Sequence, residues 1–425
     1  MRNHAVVLGA GIGGLVAAAA LREQFAEVTV VERDLLPLLA MTRRGVPQGA
    51  QVHGLLARGM TALGELFPGF DAELRELGAP HGDMLADIRW YFDGHLLHPA
   101  SCGLTAFGVS RPALEHLLGT RVRGFSNVHL RDGTAVRGLA TGDGRVTGVR
   151  LDDGVLRADL VVDATGQGSR TPVWLGELGY PVPTRDEVRV DVCYVTHLVR
   201  RKAGHLDGRI GVALASYPDR PLGAFVLAQE GDTFAVMTSG RNGTVPPVDH
   251  DGLVRWMRRL GAPDVAEMVS TAEPVGEPRL MRYPASRRYR YERLRSFPDG
   301  YLVMGDALCS FNPLYGQGMT VAAMEALLLR RLLSAGDDRL APRFFREAAR
   351  LLDAPWRLAA DADMRFGPQP PAKRAVSSYL GKLYRAAAHD PVLSTRLFRV
   401  ANLLDSPARL LRPGTALRVL RGARS

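Results

Sequence analysis

Gly9, Gly11 and Gly14 stand at Gly-x-Gly-x-x-Gly spacing, with Gly13 between them, directly behind the apolar run His4-Ala5-Val6-Val7-Leu8. That spacing suits a backbone wrapped closely around a diphosphate: Gly9 allows the tight turn, Gly11 the approach of phosphate, and Gly14 the packing of helix on strand. The alanine-rich stretch Leu15 to Phe25 predicts a helix whose N-terminal amides face the phosphates, and Val28-Thr29-Val30-Val31 predicts a second strand ending at Glu32-Arg33. Glu32 is then placed to accept hydrogen bonds from ribose hydroxyls. Two later segments carry the same chemistry: Asp163-Ala164-Thr165-Gly166, and Gly305-Asp306-Ala307 followed by Asn312-Pro313-Leu314-Tyr315-Gly316-Gln317-Gly318-Met319. Their order and spacing fit a chain that holds one FAD from both ends.

These segments need elements to deliver them. Ile88 to Phe92 and His95 to His98 read as strands around the turn Asp93-Gly94. Ser110 reads as a helix cap with Pro112 just inside, leaving Arg111 at a loop-to-helix junction, where it either contacts FAD or forms a surface ion pair. His53 opens another predicted helix and is either structural or faces the flavin or substrate. Strands Val146 to Asp152 and Ala158 to Val162 lead into Asp163, and Gly300 to Met304 delivers Gly305-Asp306. From Tyr180 to Pro284 the texture changes to alternating strands. The fold class is therefore α/β: a Rossmann-like FAD-binding domain of glutathione-reductase type over residues 1–179 and 285–340. An antiparallel-sheet substrate domain is inserted at 180–284, and a helical C-terminal region with a basic tail occupies 341–425. Met319 to Leu333 is a predicted helix, and Gly367 to Pro371 a linker.

Composition excludes several classes. With 46% hydrophobic and 23% charged residues the chain is ordinary globular protein. Cys102, Cys193 and Cys309 form no Cys-x-x-Cys pair, which removes disulfide-reductase chemistry and suggests no metal site. No secretory leader or spanning segment is evident, which places the protein in the cytoplasm. The net charge of +10 is concentrated in the tail, where twelve basic residues from Arg365 to Arg424 face only Asp390 and Asp405. Interleaved leucines make that tail amphipathic, fit for a membrane surface, an acidic partner such as a carrier protein, or the protein's own body. It lacks the stacking aromatics of a nucleic-acid surface.

The chain resembles the class A flavoprotein monooxygenases, which share the para-hydroxybenzoate hydroxylase fold. Within them it is most similar to the flavin-dependent epoxidases of polyether antibiotic biosynthesis. The resemblance is carried by Arg43-Arg44-Gly45-Val46-Pro47-Gln48 with His53, by Ala158 to Ser169, and by Gly305-Asp306-Ala307 with Phe311 to Met319. It implies that Arg43, Arg44 and Arg111 reach the cofactor, that Asp163 and Gly166 adjoin it, and that Asp306 binds the ribityl chain. Pro313 and Gly316 to Met319 would lie against the isoalloxazine. It further implies that NADPH or NADH, directly or through a separate flavin reductase, reduces the flavin. O2 then adds at C4a, and the hydroperoxide gives one oxygen to an apolar secondary-metabolite substrate. Alkene epoxidation is the first reading, and aromatic hydroxylation, with His53 or His98 as base, the second. A polyprenyl-type reductase remains as a third. Halogenation is disfavoured, since the lysines are Lys202, Lys373 and Lys382 and no Trp-x-Trp occurs.

Overall fold

The computed structural model describes residues 2–336 and 338–422; Arg424, part of the basic tail, lies outside them. Five parallel strands form the first sheet in the order Tyr301–Val303, Leu160–Asp163, Arg2–Leu8, Phe25–Val31, Val128–Arg131. Helix Ile12–Leu21 and a three-stranded antiparallel sheet, Gly138–Gly142, Arg145–Leu151 and Gly154–Arg157, pack against it, so its strands are continuous apolar runs, with Val6, Val7, Val161, Val162, Leu302 and Val303 fully buried. Register does the positioning. Leu8 pairs with Asp163 and Asp163 with Val303, so Gly9, Ala164 and the Met304-Gly305 turn leave the sheet side by side at its carboxyl edge.

The helix behind the first strand spans Ile12–Leu21, shorter than the predicted run to Phe25. Phe25 is drawn into the next strand, where it pairs with Arg2 and is wholly buried. The predicted Ser110 cap forms, its hydroxyl accepting from the Ala113 amide at 3.2 Å. The helix predicted to open at His53 starts instead at Ala57. Its N-terminal amide is capped from far away, by Asn402 Oδ1 at 2.9 Å.

The second sheet has eight strands, ordered Cys309–Ser310, Pro274–Tyr289, Arg185–Arg200, Thr233–Arg241, Leu222–Gln229, Gly211–Leu214, Ile88–Phe92, His95–Leu96. Neighbours are antiparallel except that Gly211–Leu214 runs parallel to Ile88–Phe92. The Asp93-Gly94 turn has φ of +47° and +81°, the left-handed pair that a two-residue hairpin requires. Two helices, His250–Arg259 and Pro263–Thr271, cover the back of the sheet in a stretch expected to be strands only. Their signals were present: Asp249 caps the first and Pro263 opens the second.

The C-terminal region folds onto the rest of the protein. Helices Leu340–Met364, Pro371–Ala387, Pro391–Ala401 and Pro413–Gly422 bury Leu383, Leu393, Phe398 and Val419. Phe398 meets Trp90 edge-on at 5.0 Å and Tyr384 stacks on Phe92 at 5.3 Å. Arg365 forms an ion pair with Asp93, tying the end of the long helix to the hairpin.

One buried carboxyl fixes the turn after Tyr301–Val303. Helix Gln317–Ser334 carries Glu325, wholly buried, whose Oε2 accepts from the Gly305 amide at 2.6 Å while Oε1 has no partner. Burial pushes this carboxyl from 4.5 up to about 8; the Gly305 amide opposes that rise and the charge of Asp306 adds to it. A carboxyl that binds its proton more tightly folded than unfolded contributes stability below its unfolded pKa, and that contribution is lost as pH rises through the folded one. Glu325→Gln should therefore gain melting temperature relative to the native protein as pH rises from about 5 to about 9. Parallel melting curves across that range would show that Glu325 does not titrate there.

Candidate functional site

At the nucleotide end, Gly9 has φ of +93°, and a Cβ there would lie 3.0 Å from the Ala164 carbonyl oxygen. A Cβ on Gly14 would fall 1.8 Å from the Gly9 carbonyl oxygen, so only glycine permits this approach of helix to strand. Gly13 packs toward Ala164, and Gly11 caps the helix without a side chain, leaving its amide end open. Across this opening lies Arg43. Its Nη1 sits 3.0 Å from Glu32 Oε2 and 3.5 Å from Asp34 Oδ2, and its Nε 3.5 Å from Glu115 Oε2. Arg43 Nη2 is buried without a partner and is the nearest atom to the space beside Gly11, 3.8 Å from a Cβ built there.

An unpartnered guanidinium nitrogen beside an open helix N-terminus is the donor set a diphosphate needs, so these residues fit a dinucleotide. The cleft continues between Leu36, Met41, Pro112 and His116. Glu32 also accepts from the Ala10 amide at 2.8 Å and the Asp34 amide at 3.1 Å, which holds its carboxylate at the strand end. Arg33 and Arg44 do not join this set: the Arg33 side chain is 70% exposed and Arg44 is exposed on the rim.

At the other end Asp306, Gly166, Gly318, Arg111 and His53 come together. A Cβ on Gly318 would stand 3.4 Å from Asp306 Oδ1, and one on Gly166 3.9 Å from Asp306 Cβ. Burial raises the Asp306 carboxyl, and the charge of Arg111 and a hydrogen bond from Gln167 pull it back. Arg111 is buried and donates from Nε to Glu115 Oε1 at 2.7 Å. Glu115 therefore bridges Arg43 and Arg111, joining the two ends of the site. Sequence reading missed it, although its place one turn beyond Arg111 was a signal. The His53 Nδ1 lies 2.9 Å from the Gln51 carbonyl oxygen. Burial, then the charge of Arg111, drives its pKa down to about 3, so His53 is neutral at physiological pH.

The turn Pro313–Tyr315 leads to Gly316, whose φ of +64° presses it against the Gly54 carbonyl, leaving 2.9 Å for a Cβ. Pro313 is exposed, Met319 half-buried, and Gln317 buried with Oε1 unpartnered. Asp163 corrects an expectation. Its carboxylate is buried and accepts from the Thr165 amide at 2.9 Å and from Ser169 and Thr171 hydroxyls at 2.6 Å. It fixes the shape of its own loop and is spent within the protein. His98 is likewise elsewhere, bonded through its amide to the Ala387 carbonyl.

Beyond Leu314 the front of the large sheet presents Val190, Val192, Tyr194, Met237 and Tyr283, with Val52 and Phe225 packed against them. Beside it lies a buried polar cluster. Asp363 Oδ1 accepts from Arg241 Nη2 at 3.0 Å, Tyr315 hydroxyl at 2.6 Å and Asn312 Nδ2 at 2.8 Å. It ties sheet, turn and C-terminal helix together. Nothing in the local sequence around Arg241 or Asp363 signals this meeting.

Comparison with known proteins agrees with the architecture. A squalene epoxidase family model matches residues 229–343, and an NAD(P)-binding Rossmann-like domain model residues 7–65. Protein Rv3254 of Mycobacterium tuberculosis is 36% identical over 434 aligned residues, covering 95% of this chain and 90% of that protein. Kynurenine 3-monooxygenase of Salinispora arenicola is 27% identical, covering 82% of this chain and 76% of its own length. The flavin-dependent brominase Bmp2 superposes with a TM-score of 0.70 at 15% identity, over 99% of this chain and 98% of its own, which shows a shared fold. The chain thus belongs to one family with Protein Rv3254, and it is an FAD-dependent enzyme with the class A flavoprotein monooxygenase fold.

Proposed function

We propose that this monooxygenase epoxidises an alkene in an apolar substrate held between the front of the eight-stranded sheet and the Pro313–Gly318 turn. FAD reduced by NAD(P)H supplies an electrophilic oxygen drawn from O2. The chain's own residues do the rest. The open end of helix Ile12–Leu21 and Arg43 Nη2 would hold the diphosphate, Glu32 the adenosine ribose, and Asp306 the ribityl chain. The Gly316 to Gly318 backbone would lie against the ring. Arg111, held by Glu115, would supply positive charge to offset the negative charge of a reduced flavin.

The observation that carries the epoxidation reading is the character of the wall beside the ring. It is apolar, and the histidine nearest the ring is a poor base: burial and the charge of Arg111 lower His53 to about 3, while burial pushes the Tyr194 and Tyr283 phenols above their usual range. A phenol substrate profits from a base that takes its proton, whereas an alkene needs none. The squalene epoxidase match over residues 229–343 supports the same reading. Aromatic hydroxylation is the second reading, supported by the kynurenine 3-monooxygenase relatives.

Two measurements test this. Arg43→Ala should weaken FAD binding about tenfold to a hundredfold, the worth of a lost hydrogen bond to a charged group, as read by calorimetric titration of apoprotein. Arg44→Ala, on the rim, should leave affinity unchanged, and equal losses would remove the assignment. For the chemistry, turnover under labelled O2 with NADPH should place one labelled oxygen in polyene or terpenoid probes. Label appearing only in phenolic probes would establish the hydroxylase reading, and probe reduction without O2 would establish a reductase.

A further inference from the structure

The last helix, Pro413–Gly422, is apolar on two opposite faces. Thr415 and Val419 turn inward and are buried. Leu417 and Leu420 lie on the opposite side, 48% and 52% exposed, and Leu411 just ahead is 67% exposed. The acidic residues around them are already paired. Arg409 and Arg418 pair with Asp405 and Asp390. Arg412, Arg421 and Arg385 are exposed and form no ion pair among the described residues. A Cβ on Gly422 would stand 2.9 Å from Ala386 Cβ, so the helix end carrying Arg421 lies beside Arg385.

A single exposed leucine needs no account, but three along one short segment do. The inward face already secures the helix to the protein, so the outward leucines are not needed for that packing. Exposed leucines flanked by unpaired arginines are the pattern of a helix that lies on an anionic lipid surface, apolar side chains below and cations at the headgroups. The rings of this region, Tyr379, Tyr384 and Phe398, are turned inward, so no stacking surface for nucleic acid is offered.

We propose that Leu411, Leu417 and Leu420, with Arg412, Arg421 and Arg385, dock the enzyme on an anionic lipid surface. The leucines enter the boundary between headgroups and acyl chains, and the guanidinium groups meet lipid phosphates. The proposal does not depend on which oxygenation the site performs.

The test is sedimentation of FAD-loaded protein with phosphatidylglycerol vesicles, using phosphatidylcholine vesicles for reference. The native protein should bind the anionic vesicles, and added salt should weaken that binding. Arg412→Ser with Arg421→Ser should reduce partitioning by about fivefold per cation. Leu417→Ser with Leu420→Ser should lower the fraction that survives a salt wash. Melting curves and flavin content of both variants should match the native protein, because these side chains face outward. Failure of the native protein to bind, or binding that neither variant lowers, overturns the proposal. Binding to soluble polyglutamate but not to vesicles would overturn it in favour of an acidic protein partner.

Discussion

The site exists because three strands end level. Leu8, Asp163 and Val303 occupy one row of the parallel sheet, and the turns that follow hold Gly9, Gly166 and Gly305 at positive φ, which a larger residue would strain. Gly14 closes the fingerprint by resting on the Gly9 carbonyl, at a distance where a methyl group has no room. Slipping any strand by one residue would exchange its two faces and scatter these turns. The tight register is therefore both a packing solution and the scaffold of the cofactor site.

Around that scaffold the protein places buried charge in chains, each member needing the next. Arg43 is held by Glu32, Asp34 and Glu115, Glu115 also holds Arg111, and Arg111 acts on both His53 and Asp306. Isolated, any of these would be expensive to bury. Linked, they leave one nitrogen of Arg43 unpaired beside the helix end and keep His53 neutral. A second cluster, Arg241 with Asp363, Tyr315 and Asn312, does the same for the turn near Leu314. The C-terminal helices are thus structural partners of the site: Asp363 braces the turn, and Asn402 caps the helix that follows His53.

Much of this was legible in the chain. The glycine spacing, Glu32 at a strand end, the Ser110 cap, the Asp93-Gly94 hairpin and the late Gly305-Asp306 turn are local signals. Each depends on backbone geometry that a few neighbouring residues dictate, and the structure forms each of them. Local reading failed where a distant segment decided the outcome. Phe25 looked helical but completes a strand opposite Arg2, and the helix after His53 waits for a cap supplied by Asn402. Asp163 looked like a ligand because it ends a strand beside the cofactor cleft, but Thr165, Ser169 and Thr171 consume its oxygens.

The sequence by itself determined the cofactor class, the family and the turns that meet the cofactor, because these rest on short-range conformational demands that only certain residues meet. Tertiary structure alone decided which charges meet. Glu115 between two arginines, Asp363 beneath the turn, the neutrality of His53 and the inward packing of a basic tail all depend on burial and on contacts between segments remote in the chain. Burial sets the energy of each of those groups, and burial is a property of the folded whole.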